Sequence, residues 1–242
     1  LFRSGTALTN AKITAKLLEN GAEIAKKDLI SAVIGKNTIS FPVTNPKKWS
    51  AEIPNLYDLV LTLENESGEI MDIRGGKVGF KKVEIGSRGE LLINGKRMIF
   101  YGVNRHDHSE INGRTVSKEE MEQDIKNMKK LNINAIRTSH YPVSPYFYEL
   151  CDKYGMYVLA EANVETHGNT GLSGVELFRK PMAERNQNHV KRFRNNVSIF
   201  IWSYGNESGN GNNFEYVEKA IKELDKTRLT HYEGNSQWSD VS

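Results

Sequence analysis

Hydrophobic and polar positions alternate with a period of two along the first third of the chain. Between residues 57 and 63, every odd position is Tyr or Leu and every even position is Asp, Val or Thr. A strand with this pattern buries one face and exposes the other to solvent. Turn residues such as Asn45-Pro46 separate the runs, and further strands are predicted at 13–18, 37–43, 69–74 and 77–85. This spacing predicts an immunoglobulin-like β-sandwich over residues 1–86, incomplete at its start.

From residue 87 onwards, apolar strands alternate with amphipathic helices. Asn94-Gly95, between two short apolar runs, predicts a hairpin because both residues tolerate a positive φ. Ser117 and Glu120 form a capping box at one helix start, and Gly155 suits the end of the next helix. The other predicted elements are strands at 100–103, 134–136, 156–159, 199–202 and 229–232, and helices at 145–154, at 182–194 and from Asn212 or Asn213 onwards.

Two architectures combine parallel strands with helices, the closed barrel and the doubly wound sheet. A doubly wound nucleotide-binding sheet carries a glycine-rich turn after its first strand. Here that position, residues 104–108, reads Asn-Arg-His-Asp-His and contains no glycine. The pattern therefore predicts the N-terminal part of a (β/α)8 TIM barrel over residues 87–242. Its chemistry is expected at the C-terminal ends of the strands.

Composition narrows the class of protein and the class of partner. Of the 242 residues, 38% are hydrophobic and 26% charged, which supplies a core and excludes a disordered chain. The formal net charge of +3 is spread with interspersed signs, so no nucleic acid partner is expected. No apolar run approaches the ~18 residues that span a bilayer, so no membrane partner is expected either. A single cysteine, Cys151, excludes an intrachain disulfide.

Length and termini point to a piece of a longer protein. A complete barrel alone takes ~250 residues, whereas here about four strand–helix units and a fifth strand follow the sandwich. The first residues, Leu1 to Gly5, contain neither an initiator Met nor the layout of a signal peptide. We therefore expect a truncated N-terminus and a cytoplasmic parent protein.

Titratable and amide side chains are concentrated where the predicted barrel strands end. These strand-end clusters occupy residues 104–108, 137–141, 161–168 and 203–209. A single His or Arg in such a position is more often structural or solvated than catalytic. Clusters at equivalent positions of successive parallel strands meet at one edge of the sheet, so they predict a shared site.

The same clusters resemble the signatures of glycoside hydrolase family 2. Residues 134–142 (Asn-Ala-Ile-Arg-Thr-Ser-His-Tyr-Pro) resemble its first signature, and 194–207, ending in Asn-Glu, resemble its second. Residues 102–108 and 161–168 are similar to the β-galactosidase branch, above all in Glu-Thr-His-Gly. The β-glucuronidase and β-mannosidase branches share His-Tyr-Pro and Asn-Glu but usually lack that motif. One departure is Asn196-Val197, where the family often has His-Pro.

The resemblance implies retaining hydrolysis of terminal β-D-galactosides such as lactose, with a β-galactoside as the substrate partner. Glu207 matches the general acid/base, and Asn206 matches the residue that bonds the sugar 2-hydroxyl. His106 and His140 match residues that contact galactose hydroxyls and stabilise the transition state. Arg137 matches an arginine that braces the carboxylate of the nucleophile. A homo-oligomeric parent protein is also implied.

Glu165 and His167 are two residues apart and point the same way in extended chain, which makes half of a divalent-cation site plausible. Carboxylates and water suit Mg²⁺ or Mn²⁺, whereas imidazole is less usual for magnesium. The resemblance implies Mg²⁺ held together with Glu207. A monovalent cation stays open as a second cofactor, because the sequence identifies no ligands for it.

The nucleophile is not found in this chain. The family uses a second glutamate on a later barrel strand. Glu215, Glu218 and Glu223 lie on a predicted helix, and only Glu233, at a strand end, points toward the expected site. Three alternatives therefore stay open: a β-glucuronidase or β-mannosidase of the same family, a catalytically inactive sugar-binding or subunit fragment, and a sugar-binding role for the structural module at 1–86.

Overall fold

The computed structural model describes residues 10–234 and 237–241, which form two compact units. The first unit comprises residues up to Lys48 together with Asn55–Phe80. The second comprises Trp49–Pro54 and the chain from Lys81 onwards. Within the described residues, no helix is both long enough and apolar enough to cross a bilayer.

The first unit is built on an antiparallel sheet with the strand order β2-β1-β3-β4. Its strands are β1 (Ala11–Glu19), β2 (Ala22–Ala32), β3 (Tyr57–Glu64) and β4 (Ile70–Val78). In β1, the apolar side chains at positions 11, 13, 15 and 17 are all buried, which is the period-two pattern of a half-buried strand. This antiparallel, sandwich-like sheet confirms the fold class predicted for the first part of the chain.

Two strand predictions in the first unit were wrong. Residues 37–43 do not form a strand, because the Asn37 side chain closes a local turn with the backbone N–H (3.0 Å) and C=O (2.7 Å) of Val33. The predicted strand at 77–85 is broken, because Lys77 and Val78 pair with β3 whereas Val83–Ile85 pair with a strand of the second unit. β2 itself was not predicted.

The second unit begins with a small antiparallel sheet of β5 (Val83–Ile85), β6 (Leu91–Ile93) and β7 (Lys96–Arg97). The predicted hairpin joins β6 to β7, with φ of 54° at Asn94 and 78° at Gly95. Positive φ at both central residues is the backbone of a type I′ turn, whose twist matches the flanking strands.

The rest of the second unit alternates strands and helices around a parallel sheet. Its strands are β8 (Gly102–Arg105), β9 (Ala135–Thr138), β10 (Tyr157–Glu161), β11 (Ile199–Asn206) and β12 (Leu229–Glu233). The helices between them are α1 (Lys118–Lys130), α2 (Pro145–Tyr154), α3 (Glu176–Phe193) and α4 (Asn213–Leu224), with a kinked 3-10 segment at His167–Gly174. Every strand lies beside its neighbour in sequence, which is the order of a barrel and not of a doubly wound sheet.

Local signals place the helix ends close to where the sequence predicts them. Ser117 and Glu120 form the predicted capping box of α1. Gly155 ends α2 with φ 75°, and a Cβ there would lie 2.2 Å from the carbonyl oxygen of Ala51, so only glycine fits. α3 begins six residues earlier than predicted and takes in Pro181. Asn212 occupies the N-cap position of α4 without a side-chain capping bond.

Burial within the parallel sheet increases from its edge to its centre. Every residue of β11 is buried, as the all-apolar run predicts. The prediction of a buried strand at 100–103 was wrong, because β8 is an edge strand whose first three residues, Gly102–Asn104, are exposed. The core between sheet and helices holds large side chains such as Phe147, Trp202 and Phe214.

Candidate active site

The C-terminal edge of the parallel sheet gathers the strand-end clusters on one side. Because parallel strands end at the same edge, side chains following β8, β9, β10, β11 and β12 can meet there. The structure places the following predicted residues at this edge: His106, Arg137, His140, Glu165, His167, Asn206 and Glu207. Hydrogen bonds or charge pairs connect all of these residues except His106 to the rest of the site. His106 is connected by ring packing against His140 and Tyr141.

Glu207 directly follows β11 in an unusual backbone conformation. Its φ is 45°, in the left-handed region that non-glycine residues rarely adopt. Its N–H donates to the carbonyl oxygen of Glu233 at 2.8 Å, which ties the turn to the end of β12. Strained residues of this kind are concentrated at functional sites. The backbone thus fixes the direction in which the exposed Glu207 side chain leaves the sheet.

Glu165, His167 and Glu207 form a cluster of possible metal ligands. One ligand atom from each residue lies within 4.8 Å of the other two, and all three residues are exposed. His167 Nδ1 lies 3.3 Å from Glu165 Oε1. Two carboxylates and an imidazole that converge at a solvent-open position leave room for water to complete an octahedral shell. The donor set and its geometry fit a divalent cation.

Asn206, buried at the end of β11, connects two parts of the site through its side-chain amide. Its Oδ1 accepts a hydrogen bond from Arg137 Nη2 at 2.8 Å. Its Nδ2 donates to Glu165 Oε1 at 3.0 Å. These two bonds give the amide a fixed orientation, with the oxygen toward Arg137 and the nitrogen toward Glu165.

Simple alternation along β11 does not describe where these side chains point. Period two would put Trp202 and Tyr204 on the same face as Asn206. Instead, Trp202 Nε1 donates to Asp225 Oδ2 at 2.9 Å, and Tyr204 stacks on Tyr232 with ring centroids 5.3 Å apart. Both aromatic residues pack with the helices.

A register shift between Ser203 and Asn206 accounts for the difference. The extra residue of a bulge moves the following side chain to the other face of the sheet. Gly205 permits it, because a Cβ there would lie 2.7 Å from the carbonyl oxygen of Val164. The glycine thereby allows Asn206 to reach the same side of the sheet as Arg137 and Glu165.

Glu161, the last residue of β10, is a central residue that the sequence analysis did not single out. It is completely buried (0% exposed). Its Oε2 accepts bonds from Arg137 Nε at 2.8 Å and from Ser203 Oγ at 2.7 Å, and its Oε1 lies 2.6 Å from His140 Nδ1. The sequence signal for Glu161 is its position as an acidic residue at the end of an apolar strand. A carboxyl group buried there needs hydrogen-bond donors around it, so the position indicates a polar network.

The two predicted sugar-contacting histidines lie side by side. The rings of His106 and His140 are 5.3 Å apart and nearly perpendicular, at 80°. Tyr141 packs against His106, and its hydroxyl accepts from the Asp107 N–H at 3.0 Å and from Arg114 Nη1 at 3.1 Å. His106 itself is exposed. The pair thus presents one exposed and one half-buried imidazole at the same edge.

Glu233 and His231, on β12, complete the described part of the site. Arg137 Nη1 lies 3.9 Å from Glu233 Oε2. His231 Nδ1 lies 2.9 Å from Ser203 Oγ. Burial and the positive charge of Arg137 lower the pKa of His231 to about 4, so its ring is neutral near pH 7. The remaining downstream glutamates, at positions 215, 218 and 223, lie on α4.

Comparison with family models now decides the family. Residues 83–242 match the model "Glycosyl hydrolases family 2, TIM barrel domain", and residues 2–81 match the model "Glycosyl hydrolases family 2". The chain belongs to glycosyl hydrolase family 2. The parallel strands with their helices are therefore part of a family 2 TIM barrel, and the antiparallel sheet belongs to the preceding family 2 domain.

Curated relatives of this family 2 chain include β-galactosidases. The chain is 47% identical over 210 residues to a β-galactosidase of Pectobacterium atrosepticum, covering 84% of this chain and 20% of that protein. It is 46% identical over 200 residues to one of Enterobacter cloacae, covering 81% of this chain and 19% of that protein. The chain thus spans about a fifth of the length of these relatives.

Solved structures share the fold at lower sequence identity. A Parabacteroides merdae β-glucuronidase superposes with a TM-score of 0.88 at 22% identity, over 99% of this chain and 32% of that one. A Bifidobacterium dentium β-glucuronidase gives a TM-score of 0.79 at 23% identity, over 96% and 40%. These likenesses show that the chain shares its fold with those proteins.

Proposed function

We propose that this chain carries the acid/base part of the active site of a β-galactosidase, which hydrolyses terminal β-D-galactosides such as lactose with retention. The observation that carries the proposal is the grouping of Asn206, Glu207 and the Glu165–His167 pair at one sheet edge. The 46–47% identity to β-galactosidases supports the choice of galactose over other sugars.

In this proposal Glu207 is the general acid/base. It protonates the departing glycosidic oxygen and then takes a proton from the water that attacks the glycosyl-enzyme. Its position supports the role, because the side chain is exposed while its backbone is anchored to β12. A retaining mechanism also needs a nucleophilic carboxylate ~5–5.5 Å away. We propose that a glutamate outside this chain supplies it.

The neighbouring residues bind the sugar and hold the charges. The second N–H hydrogen of Asn206 donates to the sugar 2-hydroxyl, a contact that strengthens toward the transition state. His106 and His140 contact galactose hydroxyls. Arg137 braces the nucleophile through Nη1, the guanidinium nitrogen that faces Glu233 at 3.9 Å and is not bonded to Glu161 or Asn206.

We propose Mg²⁺ as the cofactor of this site, held by Glu165, His167 and Glu207. The convergence of their ligand atoms within 4.8 Å supports the assignment. When bound, the ion supplies positive charge beside the acid/base carboxyl. We assign no ligands to a monovalent cation.

Substrate choice is tested on the full-length protein with matched aryl glycosides. We expect kcat/KM for the aryl β-galactoside to exceed that for the aryl β-glucuronide and the aryl β-mannoside by at least ~100-fold. A larger value for the glucuronide or the mannoside would refute the assignment to galactosides. Absence of turnover on all three would favour a sugar-binding or subunit role.

A further inference from the structure

The buried carboxyl group of Glu161 has no role in the reaction proposed above, yet it contacts three side chains of the site, those of Arg137, His140 and Ser203. Besides the bonds to Arg137 Nε and Ser203 Oγ, its Oε2 lies 2.7 Å from Arg137 Nη2. A carboxylate with no exposed surface must be compensated by donors, and here three side chains supply them. Glu161 therefore fixes side chains from β9, β11 and the loop after β9.

The side chains held by Glu161 extend to the reacting groups. Arg137 bonds Glu161 with Nε and Nη2, while Nη2 also reaches Asn206 Oδ1 at 2.8 Å. Asn206 precedes Glu207 and donates to Glu165. Rotating the guanidinium away from Glu161 would thus break the contact that orients the amide.

The contact with His140 also determines where that ring carries its hydrogen. A carboxylate that is paired with an arginine can only accept hydrogen bonds. The 2.6 Å contact between Glu161 Oε1 and His140 Nδ1 therefore requires a hydrogen on Nδ1. Nε2 is then the ring atom left for a sugar hydroxyl. A partner behind a histidine fixes its tautomer and ring orientation in this way.

We propose that Glu161 is a positioning residue that holds the His140 imidazole and the Arg137 guanidinium in the orientation required for hydrolysis. This role rests on the proposed function of the site. Glu161 acts through its two partners, because its carboxyl group is fully buried behind them. Positioning of this kind affects the rate strongly, since a misplacement of about 1 Å can cost about 100-fold.

The chain offers a matched control in a second buried carboxyl group. Asp152 is 4% exposed and accepts hydrogen bonds from the Ser198 N–H at 2.8 Å and from Asn196 Nδ2 at 2.8 Å. These partners lie at the N-terminal end of β11, on the opposite edge of the sheet from Glu207. Loss of the Asp152 carboxylate therefore affects folding without touching the site.

The test compares Glu161→Gln with Asp152→Asn in the full-length protein. An amide keeps the shape but has one acceptor oxygen, so either His140 or Arg137 loses its partner. We expect Glu161→Gln to lower kcat for an aryl β-galactoside about 100-fold with little change in KM. We expect Asp152→Asn to lower the Tm at least as much as Glu161→Gln does, while its kcat stays within about twofold of the wild-type value.

A double-mutant cycle with His140→Ala shows whether Glu161 acts through His140. We expect Glu161→Gln to cost much less in the His140→Ala background, because the ring that it positions is gone. If Glu161→Gln does not fold, Glu161→Asp keeps the charge and shortens the side chain, and the same comparison is made with it. Additive losses would refute the role of Glu161 in holding His140, and a kcat of the Glu161 variant within about twofold of the wild type would overturn the whole proposal.

A crystal structure of the full-length Glu161→Gln variant separates this inference from the proposed function. We expect the His140 ring or the Arg137 guanidinium to leave its wild-type position. Both groups unmoved would refute the positioning role even if activity fell. If the wild-type protein hydrolyses no β-galactoside, the proposed function fails, and the crystal structure still decides whether Glu161 positions these side chains.

Discussion

At the scale of single residues, polar side chains at the C-terminal edge of the parallel sheet are each hydrogen-bonded to two neighbouring side chains. Asn206 lies between Arg137 and Glu165, and Arg137 in turn lies between Asn206 and Glu161. Such a chain of hydrogen bonds fixes rotamers before a ligand arrives, so binding and reaction cost less reorganisation. Glu207 differs because its backbone, and not its side chain, is anchored.

Removal of the Glu207 carboxyl should therefore affect catalysis more than folding. In the full-length protein, Glu207→Ala is expected to lower kcat/KM for lactose by about 10²–10⁴-fold, the usual contribution of a general acid. An aryl galactoside with a good leaving group should lose much less, since its oxygen needs no proton. Steady-state kinetics on both substrates checks this. Glu215→Ala, on the exposed face of α4, is the control.

An equal loss on both substrates would contradict the acid role of Glu207. Added azide gives a second readout, because this small nucleophile needs no general base. We expect azide to restore turnover of the aryl galactoside by Glu207→Ala and to leave the Glu215→Ala control unchanged. No rescue would contradict the base role.

The proposed metal site belongs to the same scale, because it consists of three side chains. Chelation of divalent ions with EDTA is expected to lower β-galactosidase activity of the full-length protein, and added Mg²⁺ to restore it. Glu165→Gln removes one of the converging carboxylates, so it should raise the Mg²⁺ concentration needed for half activation by about 10- to 100-fold. Glu149→Gln, at an exposed position of α2, serves as the control. An unchanged Mg²⁺ requirement in Glu165→Gln would remove Glu165 from the site.

At the scale of secondary-structure elements, the sequence predicts the features that depend on residues close together in the chain. It misses the features that depend on residues far apart in the chain. The hairpin at Asn94-Gly95 and the capping box at Ser117 are local, and both are present. The bulge near Gly205 depends on the strands beside β11, so alternation alone could not reveal it. β2 was missed because most of its side chains are exposed and no apolar period marks it.

The candidate site divides in the same way. Clustering at successive strand ends predicted which residues meet, because parallel strands share one edge. The role of Glu161 could not be predicted, since its donors come from positions 137, 140 and 203, far apart in sequence. Burial turns those separate residues into one network, and burial is a property of the packed sheet.

The stability of the contact between α4 and β12 is expected to depend on pH, and the structure gives the direction of that dependence. Glu218 on α4 accepts a bond from Thr230 Oγ1 at 2.9 Å, and its Oε2 is buried without a hydrogen-bond partner. Burial raises the pKa of Glu218 to about 7; Thr230 and Lys222 oppose the shift, and Asp240 adds to it. The folded state therefore holds this proton more tightly than the unfolded chain. Its stabilising contribution is full below about pH 4.5 and is lost as the pH rises to about 7.

Glu218→Gln is expected to remove that dependence. Deuterium uptake of the α4 segment, compared at equal pH, should be slower in the variant than in the wild type at pH 8, with the difference shrinking at pH 4. Glu223→Gln, exposed on the same helix, is the matched control. A difference that is the same at both pH values would show that Glu218 does not titrate in this range.

At the scale of the whole molecule, the two edges of the parallel sheet have different tasks. The N-terminal edge holds Asp152 and Asp225 in structural networks. Burial alone would raise the pKa of Asp225, but Arg228, Thr227 and Trp202 together lower it to about 2. The C-terminal edge holds Glu161, Glu165 and Glu207. A division between a stabilising edge and an edge that carries the active site is typical of TIM barrels, and the residues of the candidate site lie at the edge where that rule predicts them.

The same sheet predicts how the 242-residue chain behaves by itself. Its outer strands are β8 and β12, and β8 exposes Gly102–Asn104 along a free edge. Parallel strands are normally covered or closed into a barrel, and free edges pair with other chains. We expect the isolated chain to self-associate and to show no turnover of β-galactosides, because our proposal assigns the nucleophile to a part of the protein outside it. Light scattering and an aryl β-galactoside assay, run beside the full-length protein, check both. A stable monomer would contradict the first expectation, and measurable turnover by the isolated chain would show that the nucleophile lies within it.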